Sequence, residues 1–129
     1  MTKRCNPAPS GPPAMGPYSP SVAAGNLLFV SGQGPVKPDG SGVLRGTFEE
    51  EARLTLSNVK AVLEDAGSGL EHVVKVVIFL KDMDRFAELN GIYKEYFARD
   101  FPARSCVQVA RLPADFQIEI ECIAIVPGK

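Results

Sequence analysis

The spacing of apolar residues predicts one long helix in the middle of the chain. From Phe48 to Ala66, apolar side chains recur at intervals of three and four residues, which is the period of an amphipathic helix. Thr47 and Glu50 fit a capping box at its start, and Gly67 is a typical C-terminal cap.

A second helix is predicted to start near Asp82 or Asp84 and to end before Pro102. Asn90 lies on the same face as its apolar stripe, which consists of Phe86, Leu89, Tyr93 and Phe97. A buried amide needs hydrogen-bond partners, so Asn90 is either a satisfied structural amide or part of a cleft.

Short apolar and β-branched runs predict the strands. Two of them flank Gly25-Asn26, which suits a two-residue hairpin turn. The run Val73–Leu80 is apolar at nearly every position, as in a strand covered on both faces. The segment Gln33–Gly46, with a turn signal at Pro38-Asp39-Gly40, is a loop with at most a short strand. The other predicted strands are Ser21–Ala24, Leu27–Ser31, Ser105–Val109 and Ile118–Val126.

The order ββ(β)αβαββ predicts an α+β fold built on one sheet. Right-handed crossovers would place both helices on the same face of this sheet. The other face is then uncovered, although Val73–Leu80 is too apolar to face water. We therefore expect an oligomer that packs through the helix-free face.

Length and charge indicate a single domain and disfavour nucleic acid as a partner. The 129 residues suit one compact core, with the proline-rich segment Met1–Gly16 as an extended N-terminal arm. A formal net charge of -1 provides no bulk positive field for nucleic acid or an anionic membrane. Met1–Ser10 lacks the apolar core of a secretory signal, and no apolar run could span a bilayer, so we expect a cytoplasmic protein.

The cysteine and histidine content argues against a disulfide framework and against a metal site. Cys5, Cys106 and Cys122 are too dispersed for a disulfide framework, and His72 is the only histidine. We therefore predict no metal site within one chain, and we place Cys5 and His72 outside the functional site.

Five short segments carry a resemblance to a known family. The segments are Gly16-Pro17-Tyr18-Ser19-Pro20, Ser31-Gly32-Gln33, Phe101-Pro102-Ala103-Arg104-Ser105-Cys106, Arg111-Leu112-Pro113 and Ile118-Glu119-Ile120-Glu121. In order and spacing they resemble the RidA (YjgF/YER057c/UK114) family, from about Gly16 to Val126. The resemblance implies a chorismate-mutase-like α+β subunit in a homotrimer, with a cleft at each subunit interface and no cofactor. It also implies hydrolysis of 2-imino and enamino acids, such as 2-aminoacrylate, 2-iminopropanoate and 2-iminobutanoate, to 2-oxo acids and ammonia.

Arg104 and Glu119 are the main candidates for chemistry. The planar guanidinium of Arg104 matches a carboxylate through two parallel hydrogen bonds, although a surface ion pair is the commoner fate of an arginine. Glu119 matches the family's glutamate, which implies that it directs water, whereas we expect its neighbour Glu121 to be solvated. In a hairpin centred near Pro113-Ala114, Arg104 and Glu119 would lie about 16 Å apart. They can then meet on one imine only if different subunits supply them, or if Glu119 acts through a relay.

The resemblance implies further ligand contacts from Tyr18, Ser31 and Cys106, and for Cys106 it points to the backbone carbonyl rather than the thiol. Two departures from the family pattern bear on substrate preference: Pro20 stands where many members have Gln, and Gly34 where an aliphatic residue is usual. The same arginine would also suit a ligand-sensing or regulatory trimer that binds 2-oxo acids without turnover. RNA cleavage is a weaker alternative, because the chain has neither a basic-aromatic strip nor a second histidine. Holdase-like chaperoning is a further alternative, and it would show as suppression of client aggregation.

Overall fold

The computed structural model describes residues 2–128, so Met1 of the expected arm and Lys129 of the expected domain lie outside the described residues. Six strands form one sheet with two α-helices, which confirms the predicted mixed α+β fold. In chain order the elements are β1 (Lys3–Asn6), β2 (Ser21–Ala24), β3 (Leu27–Gln33), α1 (Phe48–Asp65), β4 (Val73–Leu80), α2 (Phe86–Tyr96), β5 (Ala103–Gln108) and β6 (Ile118–Ile125).

The strands lie in the order β1-β2-β3-β6-β4-β5. All neighbours are antiparallel except β4 and β5, which are parallel and are connected through α2. The predicted hairpin between the last two strands is therefore wrong, because β4 lies between β5 and β6 and pairs with both. The crossover helix returns the chain to the edge of the sheet, whereas β6 gains two partners by inserting between β3 and β4.

The opening hairpin is formed as predicted. Ala24 pairs with Leu27 across the turn, and Gly25 has a φ of 61°, a conformation that glycine adopts without steric penalty. Further along β3, the pairing with β6 shifts between Val30 and Gln33. This irregularity frees the backbone of residues 31 and 32 from the regular ladder.

Both ends of α1 are fixed by the residues that predicted them. The amide of Glu50 donates to Thr47 Oγ1 at 3.2 Å, and the amide of Thr47 donates to Glu50 Oε1 at 2.9 Å. After the helix, Gly67 has a φ of 84°, and the amide of Ser68 donates back to the carbonyl of Leu63 at 2.9 Å. Such an end satisfies helix carbonyls that have no partner inside the helix.

The second helix begins later than the first of its predicted starts. Asp82 accepts a hydrogen bond from the amide of Asp84 at 2.9 Å and precedes a short 3₁₀ turn, Met83–Arg85. The α-helix then runs from Phe86 to Tyr96, well before Pro102. Of the predicted stripe, Leu89, Tyr93 and Phe97 are buried, whereas Phe86 is 38% exposed.

The hydrophobic core lies between the helices and one face of the sheet. Alternate residues of the inner strands are buried there, and burying a side chain of this size contributes about 1.5–3 kcal/mol. The fully buried core side chains include Leu28, Leu56, Val59, Leu63, Val76, Ile78, Leu80, Leu89, Ile118 and Ile120.

The opposite face of the sheet, here called the open sheet face, carries apolar side chains that no other part of residues 2–128 covers. Phe29 is 44% exposed and Val107 is 43% exposed. Lys75 and Glu121 are charged residues within the same face. Other apolar residues of this face include Val22, Leu27, Val77, Phe79, Ile123 and Ile125.

Part of the expected N-terminal arm joins the sheet. Lys3–Asn6 form β1, which pairs with β2 and is one of the two edge strands. Among residues 2–128, no helix combines the length and apolar character needed to cross a membrane.

Candidate functional site

The structure places five of the six predicted site residues in two separate clefts of the chain, and Cys106 lines neither of them. Tyr18, Ser31 and Glu119 line the first, which has a volume of about 390 Å³ and is called here the Glu119 cleft. Arg104 and Asn90 line the second, a cleft of about 350 Å³ between α2 and β5, called here the Arg104 cleft.

The two hydroxyls in the Glu119 cleft have different hydrogen-bonding capacity. The oxygen of Tyr18 accepts a hydrogen bond from the amide of Met15 at 3.0 Å, so its own proton remains available to a ligand. The hydroxyl of Ser31 donates to the carbonyl of Ser19 at 2.7 Å, and its lone pairs remain available. Tyr18 can thus donate to a ligand, whereas Ser31 can accept from one.

Glu119 is a half-buried carboxyl group on the second residue of β6. Burial raises its pKa above the ordinary value, and the negative charge of Glu121 raises it further. Gly32 makes room for this carboxyl group, because a Cβ atom at residue 32 would lie 2.9 Å from Glu119 Cδ. A carboxyl group with a raised pKa holds and releases a proton closer to neutral pH, which suits general acid-base work.

Arg104 lies with its guanidinium over two aromatic rings. Its Cζ atom is 4.8 Å from the ring centroid of Tyr93 and 5.5 Å from that of Phe86. Within residues 2–128, the guanidinium makes no side-chain hydrogen bond and has no carboxylate within 4.0 Å. Its planar set of donors is therefore held in place by stacking and is available to an anionic ligand.

Two neighbouring polar groups also have no hydrogen-bond partner among the described residues. They are the buried Asn90 Oδ1 atom and the buried hydroxyl of Tyr93, and both residues line the Arg104 cleft. Burial raises the pKa of Tyr93 to about 12, with the Arg104 charge opposing this, so the phenol stays neutral at physiological pH. Unsatisfied buried polar groups are uncommon in folded proteins and indicate a place where a water or a ligand completes the hydrogen bonding.

Cys106 lies two residues after Arg104 and so on the same side of β5. Burial raises the pKa of its thiol, and the nearby charge of Arg104 only partly opposes this. A thiol with a raised pKa is a poor nucleophile at neutral pH. The chemistry of Cys106 thus favours a backbone contact, which β5 can offer because it is an edge strand.

One chain does not bring Arg104 and Glu119 together. Arg104 pairs with Val76 on one side of β4, and Glu119 pairs with Phe79 on the other side. Val76 and Phe79 are three residues apart, so they point to opposite faces of the sheet, and their partners do the same. Arg104 therefore lies on the helix side and Glu119 on the open sheet face.

Within residues 2–128, no three His, Cys, Asp or Glu side chains are grouped closely enough to hold a metal ion. The single histidine, His72, lies in a short 3₁₀ turn before β4, next to Glu71 and away from both clefts. Cys5 is exposed on β1.

Comparisons with known proteins agree with this architecture. A family model described as endoribonuclease L-PSP matches residues 9–126. A RutC family protein of Pyrococcus horikoshii is 47% identical over 115 residues, covering 89% of this chain and 91% of the relative. The 2-iminobutanoate/2-iminopropanoate deaminase of Escherichia coli is 45% identical over 119 residues, covering 90% and 92%. The crystal structure of E. coli TdcF with bound serine has a TM-score of 0.89 and 41% identity, covering 95% of this chain and 98% of that chain.

The sheet order and the two clefts define a small mixed α+β protein whose candidate ligand-binding groups lie on both faces of one sheet. The chain belongs to the RidA (YjgF/YER057c/UK114) family, as the resemblance predicted. Relatives in this family are named deaminases, while the family model is described as an endoribonuclease.

Several residues that line the clefts or stack on Arg104 were absent from the site predicted from the sequence. Tyr93 and Phe86 were assigned to the apolar stripe of α2, and only the three-residue spacing between Asn90 and Tyr93 indicated a shared cleft. Gly32 belongs to the segment Ser31-Gly32-Gln33, one of the five segments that carry the family resemblance, so the sequence did indicate this region. Phe116 lines the Glu119 cleft, and nothing in the sequence alone pointed to it.

Proposed function

We propose that this chain hydrolyses reactive 2-imino and enamino acids to 2-oxo acids and ammonia. The observation that carries the proposal is the guanidinium of Arg104, held on two rings at the wall of a cleft and free of any carboxylate in residues 2–128. A free guanidinium in this setting is a receptor for a carboxylate. The deaminase name of the E. coli relative and the serine bound to TdcF support a small amino-acid-like ligand.

The proposal includes a homotrimer with one site at each subunit interface. Two observations support it: Arg104 and Glu119 lie on opposite faces of the sheet, and the open sheet face carries exposed apolar side chains. A stable contact between subunits buries more than about 1,000 Å². Packing one subunit's open sheet face against its neighbour would allow the Glu119 cleft of one to complete the Arg104 cleft of the other.

In the proposed reaction, the protein mainly orients the reactants. Arg104 fixes the carboxylate, while Tyr18 and the Cys106 carbonyl orient the ligand and its nitrogen. Glu119 accepts a proton from water as the water oxygen bonds to the imine carbon, and a proton is delivered to the nitrogen to give a carbinolamine. The C–N bond then breaks, ammonia leaves, and loss of the hydroxyl proton leaves the 2-oxo acid. An enamine enters this sequence after it has gained a proton at carbon.

This chemistry needs no cofactor, because the imine carbon is already electrophilic. Ser31 can accept a hydrogen bond from the attacking water, and Asn90 can contribute its unpaired oxygen to the ligand's nitrogen or to a bound water. We propose that the reaction takes place in the cytoplasm, where pyridoxal-phosphate-dependent dehydratases would release these substrates.

The test is imine hydrolysis by the purified chain. A serine or threonine dehydratase generates the imine in the assay, and its loss is followed with and without this protein. Acceleration over the dehydratase-only control supports the deaminase. Without acceleration, binding of 2-oxo acids in calorimetry would favour the ligand-sensing trimer instead.

A further inference from the structure

We infer that Phe116 and Gly34 together set the depth of the Glu119 cleft and thereby select the side chain of the substrate. Both residues line this cleft with Glu119, and Phe116 precedes Glu119 by three residues. The inference rests on the proposed function, because it concerns the side chain of the same imino acid.

The ring of Phe116 occupies the space that a side chain at residue 34 would need. A Cβ atom added to Gly34 would lie 2.9 Å from the Cζ atom of this ring and closer still to two other ring atoms. Carbon atoms in contact prefer about 3.5–4.0 Å, so even a methyl group would displace the ring. Gly34 has no positive φ, so its role is to leave space and not to allow a special backbone conformation.

The backbone on both sides of this contact is fixed by buried polar groups of α1. The side-chain amide nitrogen of Asn58, Nδ2, donates to the carbonyl of Gly34 at 2.9 Å and to that of Val36 at 2.8 Å. The carboxylate of Glu51 accepts the backbone amide of Gln117 at 3.1 Å and its side-chain amide at 2.7 Å. Gly34 and Gln117, the residue after Phe116, are therefore both hydrogen-bonded to α1. For this reason Gly34 and the Phe116 ring cannot easily move apart.

The remaining wall of the Glu119 cleft is largely apolar. Its polar groups are concentrated at Tyr18, Ser31, Gln33 and Glu119, where the imine carbon and the water would lie. An apolar side chain of the substrate would extend away from these groups and reach the Phe116 ring, which is only 4% exposed and closes the cleft at that point. The other apolar lining residues are Pro12, Pro13, Ala14, Met15, Pro20, Val36 and Pro113.

The inference therefore names a substrate class: imines of 2-amino acids with apolar side chains, whose permitted length the ring limits. Trimming the ring deepens the cleft and should favour longer side chains. A change of one or two methylene groups in an apolar pocket typically alters discrimination by about 10-fold to 200-fold.

The experiment compares imines generated in the assay by an L-amino acid oxidase from alanine, leucine and phenylalanine. For Phe116→Leu and Phe116→Ala, the ratio of kcat/KM for the leucine- or phenylalanine-derived imine to that for the alanine-derived imine should rise at least about tenfold. Gly34→Ala should reduce folding or activity, and adding Phe116→Leu should restore much of the loss. Phe48→Leu trims another buried aromatic ring outside both clefts and should leave the ratio unchanged.

A second measurement separates this inference from the deaminase proposal. Calorimetry gives the relative affinity for pyruvate and 4-methyl-2-oxopentanoate, which are the products from alanine and leucine. If the wild type hydrolyses no imine but Phe116→Leu shifts this relative affinity toward the larger acid by about tenfold, the deaminase proposal fails and the inference stands. If folded Phe116→Leu leaves the relative affinity within twofold of the wild type, and for an active wild type the kcat/KM ratio as well, the inference is overturned.

Discussion

Replacing Arg104 by lysine keeps the positive charge but removes the planar set of donors. In the structure, the guanidinium lies 4.8 Å from the Tyr93 centroid and 5.5 Å from the Phe86 centroid, so its plane is held by two stacking contacts. A lysine ammonium is a compact point charge that cannot form a bidentate pair with a carboxylate. The substitution thus tests geometry with little change in charge.

The magnitude follows from the lost contacts. Losing one charge-assisted hydrogen bond removes about 1.5–3 kcal/mol, and weakened stacking removes about 0.5–1 kcal/mol more. At about 1.4 kcal/mol per tenfold, a loss near 3 kcal/mol in the transition state lowers kcat/KM by about two orders of magnitude. The variant should fold and assemble as the wild type does, because Arg104 makes no ion pair within residues 2–128.

The assay is imine hydrolysis with threonine dehydratase as the source of substrate, with circular dichroism and light scattering as checks on folding and assembly. Arg53→Lys is the matched control, since Arg53 forms a bidentate pair with Glu95 on the surface of α1, away from both clefts. It should keep full activity and lose at most about 1 kcal/mol of stability. If Arg104→Lys retains activity within threefold of the wild type, the carboxylate clamp lies elsewhere and the proposed site is wrong.

Four further predictions test the remaining features. Burial and Glu121 raise the pKa of Glu119, so kcat/KM should fall as the pH decreases through that raised pKa. Glu121→Gln should shift this fall in kcat/KM to lower pH, and Glu119→Gln should abolish the pH dependence together with most activity. Gly67→Ala should lower the free energy of unfolding in urea by about 1 kcal/mol, because residue 67 has a positive φ. Gly91→Ala within α2 is the control and should be neutral or stabilising. Equal effects of the two substitutions would contradict the role of Gly67 as the C-terminal cap of α1. Light scattering should give three times the 13.8 kDa chain mass, and a monomer would refute the shared site. Activity should survive EDTA, and its loss would mean that a metal takes part.

Local signals in the sequence were sufficient for the helices and for most strands. Thr47, Glu50 and Gly67 each act on residues within one or two turns, so the limits of α1 could be predicted from the chain alone. The β5–β6 pairing could not, because it depends on where the crossover through α2 returns the chain. The strand β1 was also not predicted, since Lys3–Asn6 has no apolar alternation and gains its conformation by pairing with β2.

The candidate site shows the same contrast between residues that local sequence signals reveal and residues whose role depends on distant contacts. Arg104 and Glu119 stand in short segments whose chemistry can be recognised from the residue types, and the structure shows that they lie on opposite faces of the sheet. Periodicity assigned Tyr93 to the apolar stripe of α2, and Phe116 stands in the loop before β6, where no periodic pattern describes it. Their roles depend on contacts that are distant in sequence, the first with Arg104 and the second with Gly34.

Assembly and catalytic tuning are coupled if subunits pack through the open sheet face. In the single chain, Glu119 is half-buried, and its pKa is already raised by burial and by the charge of Glu121. A neighbouring subunit on this face would remove more water from both carboxyl groups, and their repulsion would be less screened. Both effects favour the protonated form, so the pKa of Glu119 would rise further toward neutral pH. A subunit contact of this kind would therefore supply the missing Arg104 and adjust the proton affinity of Glu119 in a single step.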